Sequence, residues 1–246
     1  MVGMKAKKDR VFAKKERLVG DFSFGQKTAA VFDDMLDRSV SFYAEMQRVI
    51  GEIAGEFAVK GSNLDDFGCS TCTTFLALDG VVPTGVRFVG LDSSAAMLQK
   101  ARAKLRQYGF KRPYKLVCAD LNRPVRVSNA SVGVLALTLQ FVRPLYRHRL
   151  IESIARGTRK DGCLILIEKV LSRDSTLNRF FIKYYYEFKK RHGYSQMEIS
   201  QKREALENVL IPYRVEENRE LLLKAEFSQC DVFFKWYNFC GMIAIK

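Results

Sequence analysis

Apolar positions recur at two different periods along this chain, and the change of period divides it. In QKTAAVFDDMLDRSVSFYAEMQRVIGEIAGEF, the residues Val31, Met35, Phe42, Met46, Val49, Ile50 and Ile53 follow helical spacing. Residues three and four apart share one helix face, so this stretch predicts helix. Ser39 and Ser41 interrupt the stripe, which predicts two helical pieces with a break there. From about residue 63, short apolar runs of strand length alternate with helical segments. The predicted strands are NLDDF, VRFVGLD (86–92), YKLVCADL ending at Asp120, VGVLALTLQFV and CLILIEKV. The fourth is almost continuously apolar, as expected of a parallel strand buried on both faces. TTFLALDG, SSAAMLQKARAKLRQYG and LYRHRLIESIARGTRKDG predict the intervening helices. Ser93 or Ser94 is the expected N-cap of the second. Gly162 is the expected stop of the third.

Strand–helix alternation over residues 63–170 predicts an α/β fold with a doubly wound, mostly parallel sheet. The pattern then changes. STLNRFFIKYYYEFKKRHGYSQMEISQKREALENVL predicts two helices with no strand between them, and RELLLKAEF predicts another. CDVFFKWYNFCGMIAIK closes the sequence as two predicted strands, with Gly241 near the turn. The expected organisation is a basic N-terminal arm (1–20) and a single α/β domain (21–246). Within the domain, a helical insertion at 172–212 precedes the last strands and is expected to act as a lid or a dimer contact.

Composition adds limits. A chain of 246 residues with 48% hydrophobic content matches one globular α/β domain. No apolar run is long enough to span a bilayer. MVGMKAKKDRVFAKKER is basic with no apolar stretch after it, unlike a secretory signal, so a soluble cytoplasmic protein is expected. The 41 Lys+Arg outnumber the 27 Asp+Glu, a net charge of +14. That excess favours polyanions such as RNA, or equally a solvated surface, since outside the N-terminal run the basic residues are scattered. Of six cysteines, only Cys69 and Cys72 form a C-x-x-C. The only histidines, His148 and His192, stand at no zinc-finger spacing from it, so neither a metal nor a redox pair is expected.

In doubly wound sheets, ligands lie at the carboxyl ends of the strands near the topological switch point. The first strand ends at Asp66-Phe67-Gly68-Cys69-Ser70, where a glycine lets the backbone approach a ligand. The second ends at Asp92, suited to ribose hydroxyls or to capping a helix. The third ends at Asp120, suited to an adenine amino group or to a turn. The fourth ends near Thr138. A dinucleotide site requires G-x-G-x-x-G for its pyrophosphate. This loop has one glycine, which suits a cofactor without phosphates. Order and spacing together point to S-adenosylmethionine (SAM).

The segments VFDDMLDRSVSFY, DFGCS, NASVGVLALTLQF and HGYSQMEISQKREALENVL resemble the carboxy-SAM synthases of bacterial tRNA wobble-uridine modification. KDRVF and GDFSF near the start are similar to that family's opening. GYSQMEISQKREALENVL is the most specific part, since ordinary SAM methyltransferases lack it. The resemblance covers roughly residue 8 to the end. It implies conversion of SAM and prephenate to carboxy-SAM and phenylpyruvate, in a metal-free homodimer. It also implies a partner enzyme, a tRNA carboxymethyltransferase, that uses the product.

Carried over residue by residue, the resemblance places Tyr43 against SAM and Gly68, Cys69 and Ser70 in the methionine-side loop. It places Asp92 and Ser93 at the ribose, and Asp120 and Leu121 at the adenine. Arg203, in SQKRE, would bind the new carboxylate through a forked pair of hydrogen bonds. Its alternative is a surface ion pair with Glu204 or Glu207. Ala136 stands where the family has Asn, and an alanine cannot replace an amide's hydrogen bonds. Cys72 stands where the family loop has glycine, a small change unless the backbone needs positive φ. The aromatic helix FFIKYYYEFKK either walls the pocket or packs in the core and an interface. Three other functions stay open: a SAM-dependent RNA methyltransferase, a non-catalytic SAM-fold module that binds tRNA or a partner, and a redox or metal protein built on the C-x-x-C.

Overall fold

The computed structural model describes residues 7–246. Three helices come first: α1 (Gln26–Ala29), α2 (Phe32–Ser39) and α3 (Tyr43–Phe57). The predicted break falls where α2 ends, and Phe42, with φ of 56°, turns the chain into α3. The alternating region follows as β1 (Asn63–Phe67), α4 (Thr73–Leu78), β2 (Arg87–Asp92), α5 (Ala95–Gln107) and β3 (Tyr114–Cys118). It continues as β4 (Ala130–Ala136), a 3-10 turn (Leu139–Phe141), α6 (Pro144–Gly157) and β5 (Thr158–Leu171). Then come α7 (Ser175–Arg191), α8 (Gln196–Leu206), β6 (Tyr213–Arg214), α9 (Val215–Lys224), β7 (Gln229–Trp236) and β8 (Phe239–Ile245).

The main sheet runs β3-β2-β1-β4-β5-β8-β7, with the short β6 pairing β5. Strands β1 to β5 are parallel, and β8 is antiparallel to both β5 and β7. The chain leaves β1 toward β2 and β3, then returns to lay β4 on the other side. The switch point therefore lies between β1 and β4, and the crevice between their carboxyl ends is the ligand position.

Helices cover both sheet faces. One core joins the sheet to α3, α4 and α5 through Ile50, Phe75, Leu98 and Leu105. The other joins it to α6 and α9 through Ile151, Ile154 and Leu222. Burying each such side chain contributes about 1.5–3 kcal/mol. A smaller cluster seats Phe22 and Phe24 against Phe32, Met35 and Met97.

The structure corrects several expected boundaries. Strand β3 ends at Cys118, so Asp120 lies on the turn that follows. Helix α6 stops at Gly157, because Thr158 is extended and its hydroxyl donates to the Ile154 carbonyl at 2.8 Å. Strand β4 ends at Ala136, since Leu137 takes φ of 58°. The closing hairpin turns at Tyr237–Asn238, not near Gly241. Gly241 sits inside β8, where a Cβ would come within 2.7 Å of the Phe233 ring. The N-cap of α5 is Ser94, whose Oγ accepts from Met97 N.

The first six residues lie outside the described ones. Residues 9–24 do not stand away from the domain. Tyr194 donates its hydroxyl to Asp9 Oδ2 at 2.5 Å, and Gln201 Nε2 donates to the carbonyls of Phe12 and Lys14 at 2.8 and 2.9 Å. Phe22 N donates to Ala205 O at 2.9 Å, so this segment runs along α8. Among the described residues, no helix is long and apolar enough to cross a membrane.

Strand β1 also holds a buried acid. Asp65 is 3% exposed, and its Oδ1 has no hydrogen-bond partner among the described residues. Burial pushes its carboxyl up to about 7. A raised folded pKa means that the native state holds the proton longer than the unfolded chain does. Stability is then full below the unfolded value of about 4 and falls as pH rises through about 7. Asp65→Asn removes this loss. Thermal unfolding from pH 4 to pH 8 should show a wild-type decline of up to a few kcal/mol relative to the variant. Parallel profiles would contradict the assignment.

Candidate functional site

A cavity of about 470 Å³ opens at the carboxyl ends of the strands. Its floor is the strand ends, and its walls come from α2, α3, α7 and α8. All ten residues singled out from the sequence line it: Tyr43, Gly68, Cys69, Ser70, Asp92, Ser93, Asp120, Leu121, Ala136 and Arg203.

The turn after β1 is shaped by three residues of positive φ: Gly68 at 82°, Ser70 at 47° and Cys72 at 59°. Gly68 N and Cys69 N both donate to the Leu91 carbonyl, at 2.7 and 3.0 Å. A Cβ on Gly68 would run into the Thr138 side chain, so only glycine permits this close approach. The Cys72 substitution is therefore not free, because a left-handed backbone costs roughly 1–2 kcal/mol outside glycine. Burial of its side chain offsets part of that. The neighbouring Cys72 thiol and burial both push the Cys69 thiol, which is free, far above the usual range. A thiol so held is inert. Among the described residues, no group of three His, Cys, Asp or Glu side chains is placed to hold a metal.

Asp92 braces this turn. Its Oδ2 accepts from Ser70 N at 3.0 Å, and its Oδ1 accepts from Ser94 N at 2.8 Å. Burial raises its pKa, and these N–H bonds oppose the rise. Capping and a ligand role are compatible here, since each carboxylate oxygen has a second lone pair. A second brace holds the same turn from outside: Lys104 Nζ donates to Asp33 Oδ1 and to Thr73 Oγ1, both at 2.8 Å. Asp120 is exposed and accepts from Asn122 N at 2.9 Å, which is turn geometry at the cavity rim. Ala136 offers no amide, and its carbonyl accepts from Thr138 Oγ1 at 3.2 Å. Arg203 reaches the rim from α8 and forms no ion pair with Glu204 or Glu207. The surface-pair alternative is thus absent from the structure.

Several lining residues were not visible in the sequence. Gln47 Oε1 and Asp66 Oδ2 are buried without partners among the described residues, and both residues line the cavity. Both are acceptors, suited to an ammonium group. With the glycine cradle and the braced Asp92, they fit a ligand shaped like SAM, which has an α-amino group and a ribose but no phosphate. Lys169, Lys189, Lys202 and Asn238 also face the cavity. Lone lysines in helices read as solvated, and only the pair Glu168-Lys169 ending an apolar strand carried a signal. The aromatic helix α7 divides its roles. Tyr185 and Tyr186 wall the cavity, whereas Phe180 and Tyr184 are exposed.

Glu168 fixes the loop over Gly68. Its Oε1 accepts from Thr138 N and Leu139 N at 3.1 and 2.8 Å, and its Oε2 accepts from Gln140 N at 2.8 Å. Burial pushes its carboxyl up to about 8, against the pull of these three donors. Arg147, 1% exposed, ties the same loop to residue 211 by donating to the carbonyls of Val142 and Ile211 at 2.9 and 2.6 Å. Glu168→Gln would aim an amide NH₂ at one backbone donor. The expected cost is about 2 kcal/mol or more in thermal unfolding, with weaker SAM binding. An unchanged melting temperature would show that the loop is held elsewhere.

Comparison with known proteins bears on this geometry. Residues 66–162 match the family model described as "Methyltransferase domain". The carboxy-S-adenosyl-L-methionine synthase of Methylococcus capsulatus is 54% identical over 240 residues, covering 97% of this chain and 99% of the relative. That of Sulfurimonas denitrificans is 45% identical, covering 97% and 99%. This chain belongs to the carboxy-S-adenosyl-L-methionine synthase family. Solved structures agree on the fold. A putative SAM-dependent methyltransferase from Methanococcus maripaludis aligns with a TM-score of 0.61 at 17% identity, covering 92% of this chain and 95% of that one. Human N-acetylserotonin methyltransferase, solved with SAM, aligns at 0.60 and 14%, covering 89% and 56%. The α/β class predicted from the alternating pattern is therefore the class I SAM-methyltransferase fold, within this enzyme family.

Proposed function

We propose that this chain converts SAM and prephenate to carboxy-SAM and phenylpyruvate, supplying a tRNA carboxymethyltransferase that builds 5-oxyacetyluridine at the wobble position. One observation carries the reading. A single cavity joins a phosphate-free cradle at β1 and β2 to a cationic, aromatic wall at β5, α7 and α8. In the overall reaction, prephenate loses its ring carboxyl as carbon dioxide and its hydroxyl as hydroxide, and its ring becomes aromatic. The carbon dioxide is taken up at the SAM methyl carbon, and the proton lost there leaves with the hydroxide as water. Atoms and charge balance without an added oxidant.

The protein's own part is placement. Gly68, Cys69 and Ser70 present the backbone to the methionine portion of SAM, and Tyr43 closes over it from α3. Asp66 and Gln47 accept from the α-ammonium. Asp92 and Ser93 take the ribose, and Asp120 and Leu121 lie at the adenine. Ala136 contributes main chain only. Phe22, Phe24 and Phe141 exclude water on the near side. Arg203 receives the carboxylate formed on the product. The positively charged wall holds a substrate dianion near a sulfonium, and holding two reactants in register supplies much of the rate. The helical insertion, residues 172–212, acts as the lid.

A homodimer is part of the reading. The exposed aromatics Phe42, Trp236, Tyr237, Tyr184 and Phe180 suit a self-association surface. The test of the reading is the mass of the small molecule released when freshly purified protein is denatured. A species heavier than SAM by one carbon dioxide is expected. Release of S-adenosylhomocysteine alone would favour a methyltransferase.

A further inference from the structure

The cavity continues past the cofactor cradle to groups that packing does not explain. Lys169 lies near the carboxyl end of β5, three strands from β2, and adjacent strands lie about 4.8 Å apart, so it stands about 14 Å from the Asp92 end. Lys189 on α7 is only 5% exposed. Its ammonium lies 4.4 Å from the centroid of the Tyr185 ring, and the Lys169 ammonium lies 5.0 Å from the same ring. Two lysine side chains thus converge on one aromatic ring. Neither forms an ion pair among the described residues. Asn238 is 2% exposed, and neither its side-chain oxygen nor its nitrogen has a partner among the described residues. Its backbone carbonyl accepts from Val170 N at 2.8 Å, which sets it beside Lys169. All four residues line the cavity.

Burying unpaired ammonium and amide groups is costly, and such groups persist where a ligand satisfies them. We propose that Lys169, Lys189 and Asn238 form a second anion subsite, which takes the α-keto carboxylate of the carboxyl donor. The assignment rests on the carboxy-SAM synthase reading of the cavity. The donor has two carboxylates. The one lost as carbon dioxide must release its charge into the breaking bond, so a cation fixed on it would stabilise the starting state and slow the reaction. A cation on the retained carboxylate only positions the molecule. The lysines therefore serve the carboxylate that survives in the product, with Tyr185 beside the donor ring. Arg203 serves the different carboxylate that SAM acquires. Burial lowers the pKa of Lys189, and the nearby charges of Lys202 and Lys169 lower it further. An anion placed among them reverses that repulsion.

Phenylpyruvate carries the retained carboxylate and is the probe. It would be titrated calorimetrically into SAM-loaded protein, with wild-type turnover of prephenate measured in parallel. Wild type should bind it. Lys189→Met, Lys169→Met and Asn238→Ala should each weaken binding about tenfold or more while SAM binding holds. Arg203→Ala should bind phenylpyruvate as wild type does. Should Lys189→Met fail to bind SAM, Lys169→Met and Asn238→Ala decide. Unchanged phenylpyruvate affinity in the lysine variants, or none in wild type, overturns the subsite. Lysine-dependent binding without prephenate turnover keeps the subsite and overturns the reaction.

Discussion

Arg203→Ala should bind SAM at close to wild-type affinity and lose its preference for carboxy-SAM. The two ligands differ by one carboxylate. Arg203 reaches the cavity rim without an ion pair among the described residues, so its guanidinium is free to fork onto that group. A charge-assisted contact of this kind contributes on the order of 1.5–3 kcal/mol, about ten- to a hundredfold in affinity. Competition between the two ligands on the purified variant measures the ratio directly. Arg203→Lys should recover only part of it, because an ammonium cannot supply two parallel bonds. Equal discrimination in Arg203→Ala and wild type would assign the arginine a structural role.

Gly68→Ala should lose SAM binding outright and destabilise the fold. Two costs combine at this position. Its φ of 82° disfavours any Cβ, and that Cβ would enter the Thr138 side chain. Thr138 cannot retreat, because its backbone N–H is held by Glu168 at 3.1 Å. Strain and overpacking together amount to about 3 kcal/mol or more. Thr138→Ala should partly rescue Gly68→Ala by removing the two closest atoms, Oγ1 and Cγ2, while leaving the Thr138 Cβ contact at 2.9 Å and the positive φ. Melting temperatures of the single and double variants test this. Additive losses would show that the two residues do not meet.

Much of this arrangement was written in local pattern. The alternation of strand and helix from Asn63 to Leu171 gave the parallel sheet, and the acids at the ends of β1 and β2 and just beyond β3 marked one edge of it. That edge is where the cavity lies, because parallel strands bring all their carboxyl ends to one side. The boundaries that shifted did so for tertiary reasons. Gly241 serves the approach of Phe233 rather than a turn, and Thr158 leaves its helix to pair with Ala130. The far wall was illegible for a similar reason. Nothing local distinguishes Lys189 from Lys190, yet helix packing buries the first beside Tyr185 and leaves the second paired with Glu187 at the surface. Asn238 reads as a turn residue, and only the sheet shows that its side chain has no partner.

Transfer of carbon from donor to SAM is the claim on which the rest depends. The purified protein would be incubated with SAM and with prephenate carrying a heavy-carbon label in its ring carboxyl, and the products weighed by mass spectrometry. Labelled carboxy-SAM appearing together with unlabelled phenylpyruvate is the predicted result. Labelled carbon dioxide in solution beside unchanged SAM would contradict it.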